Sequence, residues 1–173
     1  MASLRPGRCY RRIKRAFTRF SRRRPKKSFV KGVPAPRIHQ FVMGDRKADF
    51  PITLHLVSKD NVQIRSNALE AARVAATKQF SKYFGDKGFR LQIRPFPHHV
   101  LRENALATGA GADRFSQGMR HSYGKPIGQA AQVKAGQIII TAKINDASKI
   151  DRAKIGLKRA GMKLPLKWSI QVE

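Results

Sequence analysis

The sequence predicts a single α+β domain, a mostly antiparallel sheet carrying two packed helices. A basic N-terminal extension precedes it and a long Gly-rich internal loop interrupts it. Three observations lead there. Apolar residues alternate at period two in several short segments and recur at helical spacing in two others. The chain has 173 residues, the length of one ordinary domain. No repeat and no linker divides it. The expected division is an extension over 1–47 and a domain over 48–173, with the loop at about 95–135.

The first strand is expected at 50–57, where Phe50, Ile52, Leu54 and Leu56 alternate with less apolar residues. Asp60-Asn61 is turn chemistry, and Val62-Gln63-Ile64-Arg65 forms a second short strand. Ser66 or Asn67 can cap the following helix, with Glu70 at the capping-box spacing from Asn67. Leu69, Ala72, Ala76, Phe80 and Phe84 mark its apolar face, opposite Arg73, Lys78 and Lys82, and Gly85 ends it. In 88–94, Phe89, Leu91 and Ile93 point one way and Arg90, Gln92 and Arg94 the other. Such a strand buries one face and offers cations on the opposite one. A further strand runs from Gln137 to Ile144. Ser148 and Asp151 suggest a cap for a second helix carrying Ile150, Ala153, Leu157 and Ala160, closed by Gly161. Trp168, Ile170 and Val172 alternate in the last strand.

Lys and Arg number 37 against 10 Asp and Glu, a net charge of +27. A free domain so charged repels itself, so a polyanionic partner is expected, and a cytosolic enzyme for small neutral substrates is disfavoured. About half the excess lies in 1–47, where Asp45 is the single acid. Arg5, Arg8, Arg11, Arg12, Lys14, Arg15, Arg19, Arg22, Arg23, Arg24, Lys26, Lys27 and Lys31 form the run, interleaved with Tyr10, Phe17, Phe20 and Phe29. Such blocks bind polyanions, and the aromatic rings can stack on bases or anchor the arm on the body. Pro6, Pro25, Pro34 and Pro36 break the amphipathic helix that a transit peptide needs, and no apolar segment follows Arg11-Arg12 as a twin-arginine signal requires.

The segment between Arg94 and Gly136 shows little periodicity and many glycines, and unstructured stretches of that length are usually functional. Its cations are spaced: Arg102, Arg114, Arg120 and Lys125. Gly109-Ala110-Gly111-Ala112-Asp113-Arg114 permits close backbone approach but lacks the Gly-Lys-Ser/Thr ending of a phosphate-binding loop. Neighbouring His98 and His99 point to opposite sides of an extended segment, which disfavours a shared metal. Nothing local assembles a catalytic set. Cys9, the single cysteine, is expected to be a small apolar contact, and it excludes an internal disulfide or a multi-Cys zinc site. The longest apolar run is far short of the ~20 residues of a membrane span. No catalytic residue, metal, cofactor, membrane or small-molecule substrate is therefore expected.

Several motifs occur in order. They are Arg5-Pro6-Gly7-Arg8-Cys9-Tyr10-Arg11, Lys31-Gly32-Val33-Pro34, Ala68-Leu69-Glu70-Ala71-Ala72-Arg73 and Pro97-His98-His99-Val100-Leu101-Arg102. Gly111-Ala112-Asp113-Arg114, Gly118-Met119-Arg120, Gly124-Lys125-Pro126 and Gly136-Gln137 complete the series. From about residue 3 onward the chain resembles the universal L-sixteen family of large ribosomal subunit proteins, in its archaeal and eukaryotic L-ten-e branch. The end at Glu173 is most like an archaeal member, and the basic composition is unlike a strongly halophilic one.

The resemblance implies a hammerhead-type α+β domain packed on large-subunit rRNA below the central protuberance, joining late in assembly. It also implies neighbouring ribosomal proteins, tRNA reached through the ribosome, and a cytoplasmic location in the large subunit. The rRNA-binding residues expected are the cations of the arm with Arg90, Arg94, Arg120 and Lys125. The loop matching Arg102, Glu103, Asn104, Ala105, Leu106, Ala107, Thr108, Gly109, Ala110, Gly111 and Ala112 is implied to lie near the peptidyl-transferase region and tRNA. Asp113 and Arg114 are candidates to support it by an internal ion pair. The alternative from composition alone is a free-standing RNA chaperone or nucleic-acid compaction protein.

Overall fold

The computed structural model describes residues 5–13, 30, 32–114 and 116–173. Eight strands and two helices follow one another in the order β1 (Val42–Gly44), β2 (Ile52–Ser58), β3 (Val62–Arg65), α1 (Ser66–Phe84), β4 (Phe89–Ile93), β5 (His99–Glu103), β6 (Lys125–Val133), β7 (Ile138–Ile144), α2 (Ile150–Gly161) and β8 (Trp168–Val172). They build two sheets rather than one: β1-β4-β7-β2-β8 and a smaller β3-β6-β5. Every strand pair is antiparallel.

The pleat explains the main core. Leu54, Leu56, Leu91, Ala142 and Ile144 fall on one face of the large sheet and are fully buried there. Both helices belong to the same core: α1 contributes Leu69, Ala72, Ala76 and Phe80, and α2 contributes Ala153, Leu157 and Ala160. The helices contact each other where Gly156 of α2 lies against the Phe80 ring of α1. Val62, Ile64, Ala131 and Val133 of the smaller sheet join this core. Ile38 and Met43, which precede residue 48, are buried in it as well.

The expected helix caps do not form. Strand β3 passes directly into α1, so Arg65 occupies the cap position, with no side-chain cap, and Ser66 is already helical. Glu70 instead binds Arg73 Nη2 at 2.5 Å, and this guanidinium holds its carboxyl below the usual range. Before α2 a 3-10 turn, Ala147–Lys149, takes up Ser148, and Asp151 pairs with Lys154 at 3.3 Å. Gly85 does end α1, its φ of 66° lying in the left-handed region.

The segment 95–135 is also more ordered than expected, because β5 and β6 lie inside it. Between these strands the described residues 104–114 and 116–124 form the connection, with a 3-10 turn at Ala112–Arg114, and Arg102 and Glu103 belong to the strand that leads into it. A register shift between Leu101 and Arg102 lies beside Pro126. A bulge there accommodates a residue that cannot donate to the ladder.

Candidate nucleic-acid interface

The large sheet buries one face; on the other, His55 and Thr141 are buried while Arg90, Gln92 and Lys143 stay half-exposed. In β4 the burial alternates strictly, with Phe89, Leu91 and Ile93 inside and Arg90 and Gln92 half-exposed; Arg94 follows, exposed. This is the alternation expected from sequence. The register adds a cation that sequence reasoning missed, since Arg90 lies directly across from Lys143 of β7. Its signal was present, because Lys143 is the one charged residue of its strand and has the non-core parity. Gln92 faces Thr141, and Thr141 faces His55 of β2. His55 Nδ1 lies 3.1 Å from Thr141 Oγ1, and its Nε2 lies 3.3 Å from Glu173 Oε2.

Like charges directly opposite on a sheet repel. Among the described residues neither Arg90 nor Lys143 has a carboxylate partner, and Arg90 Nη1 instead donates to the Arg46 carbonyl at 3.3 Å. The nearby acid is already engaged. Asp45 accepts from the backbone N–H groups of Lys47 and Ala48, which hold its carboxyl below the usual range. A polyanion laid on this face would turn the repulsion into attraction.

The start of the arm is docked, not free. The carbonyl of Arg11 accepts from the Gln63 N–H at 2.9 Å, covering the outer edge of β3, and Gln63 Nε2 donates to the Tyr10 carbonyl at 2.9 Å. The Tyr10 hydroxyl donates to Glu103 Oε2 at 3.0 Å, and the Arg5 guanidinium pairs with the same carboxylate. Arg65 closes over the Tyr10 ring, 5.6 Å from its centroid. Tyr10 thus anchors the arm on the body, whereas Cys9 is exposed and is not the small apolar contact expected. Arg8, Arg11 and Arg12 are exposed. Lys14, Arg15, Arg19, Arg22, Arg23, Arg24, Lys26, Lys27 and Lys31, with Phe17, Phe20 and Phe29, lie outside the described residues.

Burial, and then the Glu103 carboxylate, push the Tyr10 phenol up to about 12 from 10.0. The raised value means that docking favours the protonated ring. The stabilisation is complete below pH 10.0 and is lost as pH rises through about 12. Ultraviolet titration of tyrosinate is therefore expected to show a late-ionising fraction that Tyr10→Phe removes. A curve unchanged by the substitution would mean that the ring is not docked.

The loop is clamped at its neck and open at its tip. Arg102 Nη1 donates to the Gly124 carbonyl at 2.9 Å, and its guanidinium lies over Tyr123, 4.2 Å from the centroid. Gly124 has φ +73°, and a Cβ there would meet the Glu103 carbonyl carbon at 2.3 Å. Asn104 Nδ2 reaches the Gly118 carbonyl at 3.1 Å. Beyond these ties Ala105, Leu106, Ala107, Thr108, Gly109 and Ala110 are all exposed. Asp113 and Arg114 form a 3-10 turn with Ala112, both exposed, and no ion pair joins them. Arg120 and Lys125 are exposed.

His98 is exposed and stacks beside Phe96, while His99 is half-buried and its imidazole is pushed below the usual value by burial. Among the described residues no group of His, Cys, Asp and Glu could hold a metal ion, and no helix is long and apolar enough to cross a membrane.

Residues 17–171 match the family described as ribosomal protein L16p/L10e. A large ribosomal subunit protein uL16 from Methanococcus aeolicus is 47% identical over 171 residues, covering 98% of this chain and 94% of that protein. The uL16 of Archaeoglobus fulgidus is 47% identical over 168 residues, 97% of this chain and 92% of its own. That of Thermoplasma volcanium is 45% identical over 161 residues, 92% and 87% of the two chains.

Proposed function

The chain belongs to the ribosomal protein L16p/L10e family, and from that premise we propose that it is a structural constituent of the large ribosomal subunit rather than an enzyme. Its place is then among large-subunit rRNA and neighbouring ribosomal proteins, in the cytoplasm of an archaeal cell. The observation that carries this reading is the likeness to archaeal large-subunit proteins along nearly the whole chain. The half-exposed Arg90 and Lys143, without carboxylate partners among the described residues, fit the same role, because each neutralised phosphate releases counterions and makes binding salt-dependent. Arginine suits such contacts better than lysine, its planar fork binding phosphate bidentately.

Sedimentation tests it. The intact chain is expected to travel with large subunits and to remain there through moderate salt. A chain lacking residues 1–31 loses the Tyr10 and Arg5 anchors together with the cationic run, and is expected to stay near the top of the gradient. An intact chain found at the top would instead indicate a free-standing RNA chaperone.

The finer reading concerns position: rRNA below the central protuberance, late entry into the subunit, and a loop beside tRNA near the peptidyl-transferase centre. What supports it is a loop held rigidly at its neck yet exposed along 105–110, the form of a segment that meets a separate partner. Arg102→Ala is expected to loosen the neck by removing the Gly124 hydrogen bond and the Tyr123 contact, with melting lowered by about 1 kcal/mol. Variant particles should hold peptidyl-site tRNA less well. Full tRNA binding in such particles would refute the loop's role.

A further inference from the structure

The docked arm, the segment 34–37, the smaller sheet and the start of α1 enclose a cavity of about 280 Å³ that neither the sheet face nor the loop uses. Its wall is apolar, formed by Pro34, Leu101 and Ile127 with the Tyr10 side chain. Three guanidiniums line it, from Arg5, Arg37 and Arg65, against the single carboxylate of Glu103. Arg5 is paired with that carboxylate and Arg65 donates to the Arg5 carbonyl at 2.9 Å, so Arg37 is the cation of this lining without an acceptor among the described residues.

One feature of the lining keeps this cavity open, Gly128. It lies inside β6, its backbone is not in the left-handed region, and a Cβ built on it would touch nothing within 4 Å. A side chain would therefore fit, and a glycine in a strand weakens it. Its absence keeps the cavity open where Gly128 lines it.

We propose that this cavity receives one unstacked nucleotide of the large-subunit rRNA, its base against the apolar wall and its phosphate at Arg37 and Arg65. The inference rests on the rRNA-binding function proposed above and names a ligand for a site outside the sheet face. A base offers a flat apolar surface for Tyr10 and Leu101. The phosphate supplies the anion that Arg37 lacks. An acidic peptide would satisfy the guanidiniums but would leave the apolar wall unused. Unstacked bases held on aromatic rings are the usual way in which proteins read irregular RNA.

Ultraviolet crosslinking of assembled large subunits, followed by mass spectrometry of this protein, tests the proposal. A nucleotide adduct is expected on the peptide containing Tyr10. Gly128→Leu fills the cavity, and it should reduce that adduct by about tenfold, the equivalent of one lost stacking contact. The variant's occupancy in the particle should be little changed. Arg37→Ala, which removes an exposed side chain and leaves the core untouched, should lower the same adduct and serves if Gly128→Leu fails to assemble. Adducts elsewhere on the wild-type protein but none at Tyr10 would overturn the pocket and spare the rRNA-binding reading. A crosslink from Tyr10 to another protein, or an adduct that Arg37→Ala leaves unchanged, would overturn it as well. A wild-type chain without any nucleotide adduct would overturn both.

Discussion

Gly156→Val is expected to lower the stability of this chain by about 3 kcal/mol, the upper end of what an overpacked core loses. Gly156 lies inside α2, where glycine by itself costs about 1 kcal/mol relative to alanine, so the bare helix would gain from replacement. Packing reverses that sign. A Cβ at this position would lie 2.7 Å from Phe80 Cε2 and 3.1 Å from Cδ2. Phe80 has no room to retreat, for it is fully buried and its ring is held between Phe84 and Phe89, with centroids at 5.6 and 5.4 Å. Valine adds two further methyl groups to the clash. For a chain of this length each kcal/mol corresponds to roughly 2–4 °C, so thermal unfolding should begin to report a fall of about 10 °C. Gly156→Ala should show a smaller loss, because propensity offsets part of the contact. An unchanged melting temperature would mean that α1 and α2 do not cross this closely.

The same crossing shows what the sequence could and could not reveal. Leu69, Ala72, Ala76 and Phe80 announce the buried face of α1 through spacing alone, and β4 is legible for the same reason at period two. The glycine at 156 carries no such signal, because its meaning depends on which ring faces it. Strands β5 and β6 were hidden for a different reason. Lys125–Val133 contains Pro126, Gly128, two glutamines and two alanines, residues with weak strand preference, yet β6 is the central strand of its sheet. Its stability comes from β3 and β5 on either side, which are non-local. The caps failed because local motif rules assume a turn before the helix, and Arg65-Ser66 leaves no residue for one.

At the interface the division is similar. Arg90 and Arg94 were legible from alternation within one strand. Lys143 becomes the neighbour of Arg90 only through the β4–β7 register, and Arg5, Arg37 and Arg65 converge only once the arm and the 34–37 segment fold onto the smaller sheet. Charge composition predicted a polyanion but not where it would lie. Tyr10 was recognised as a possible anchor; its partner Glu103, 93 residues away, was assigned to the loop instead.

The register makes the sheet face separately testable from the fold. Arg90 and Lys143 are direct cross-strand neighbours of like charge, so the bare protein pays a small repulsion there. Arg90→Glu replaces that repulsion with an ion pair and is expected to stabilise the isolated chain, by about 0.2–1 kcal/mol. The same change removes a cation from the face proposed to meet RNA and installs an anion. Affinity for a large-subunit rRNA fragment should therefore fall while stability rises, a combination that no folding defect can produce. Reversing both residues, with Arg90→Glu and Lys143→Glu, restores a like-charged pair and so should return stability close to that of the parent. It should weaken RNA binding further, by roughly a hundredfold, and flatten the dependence of log K on log salt by about two units. Binding measured across a salt series, beside thermal unfolding of each variant, checks both halves. If stability rises with Arg90→Glu while affinity and salt slope hold, the polyanion lies elsewhere and the open face only tolerates its cations.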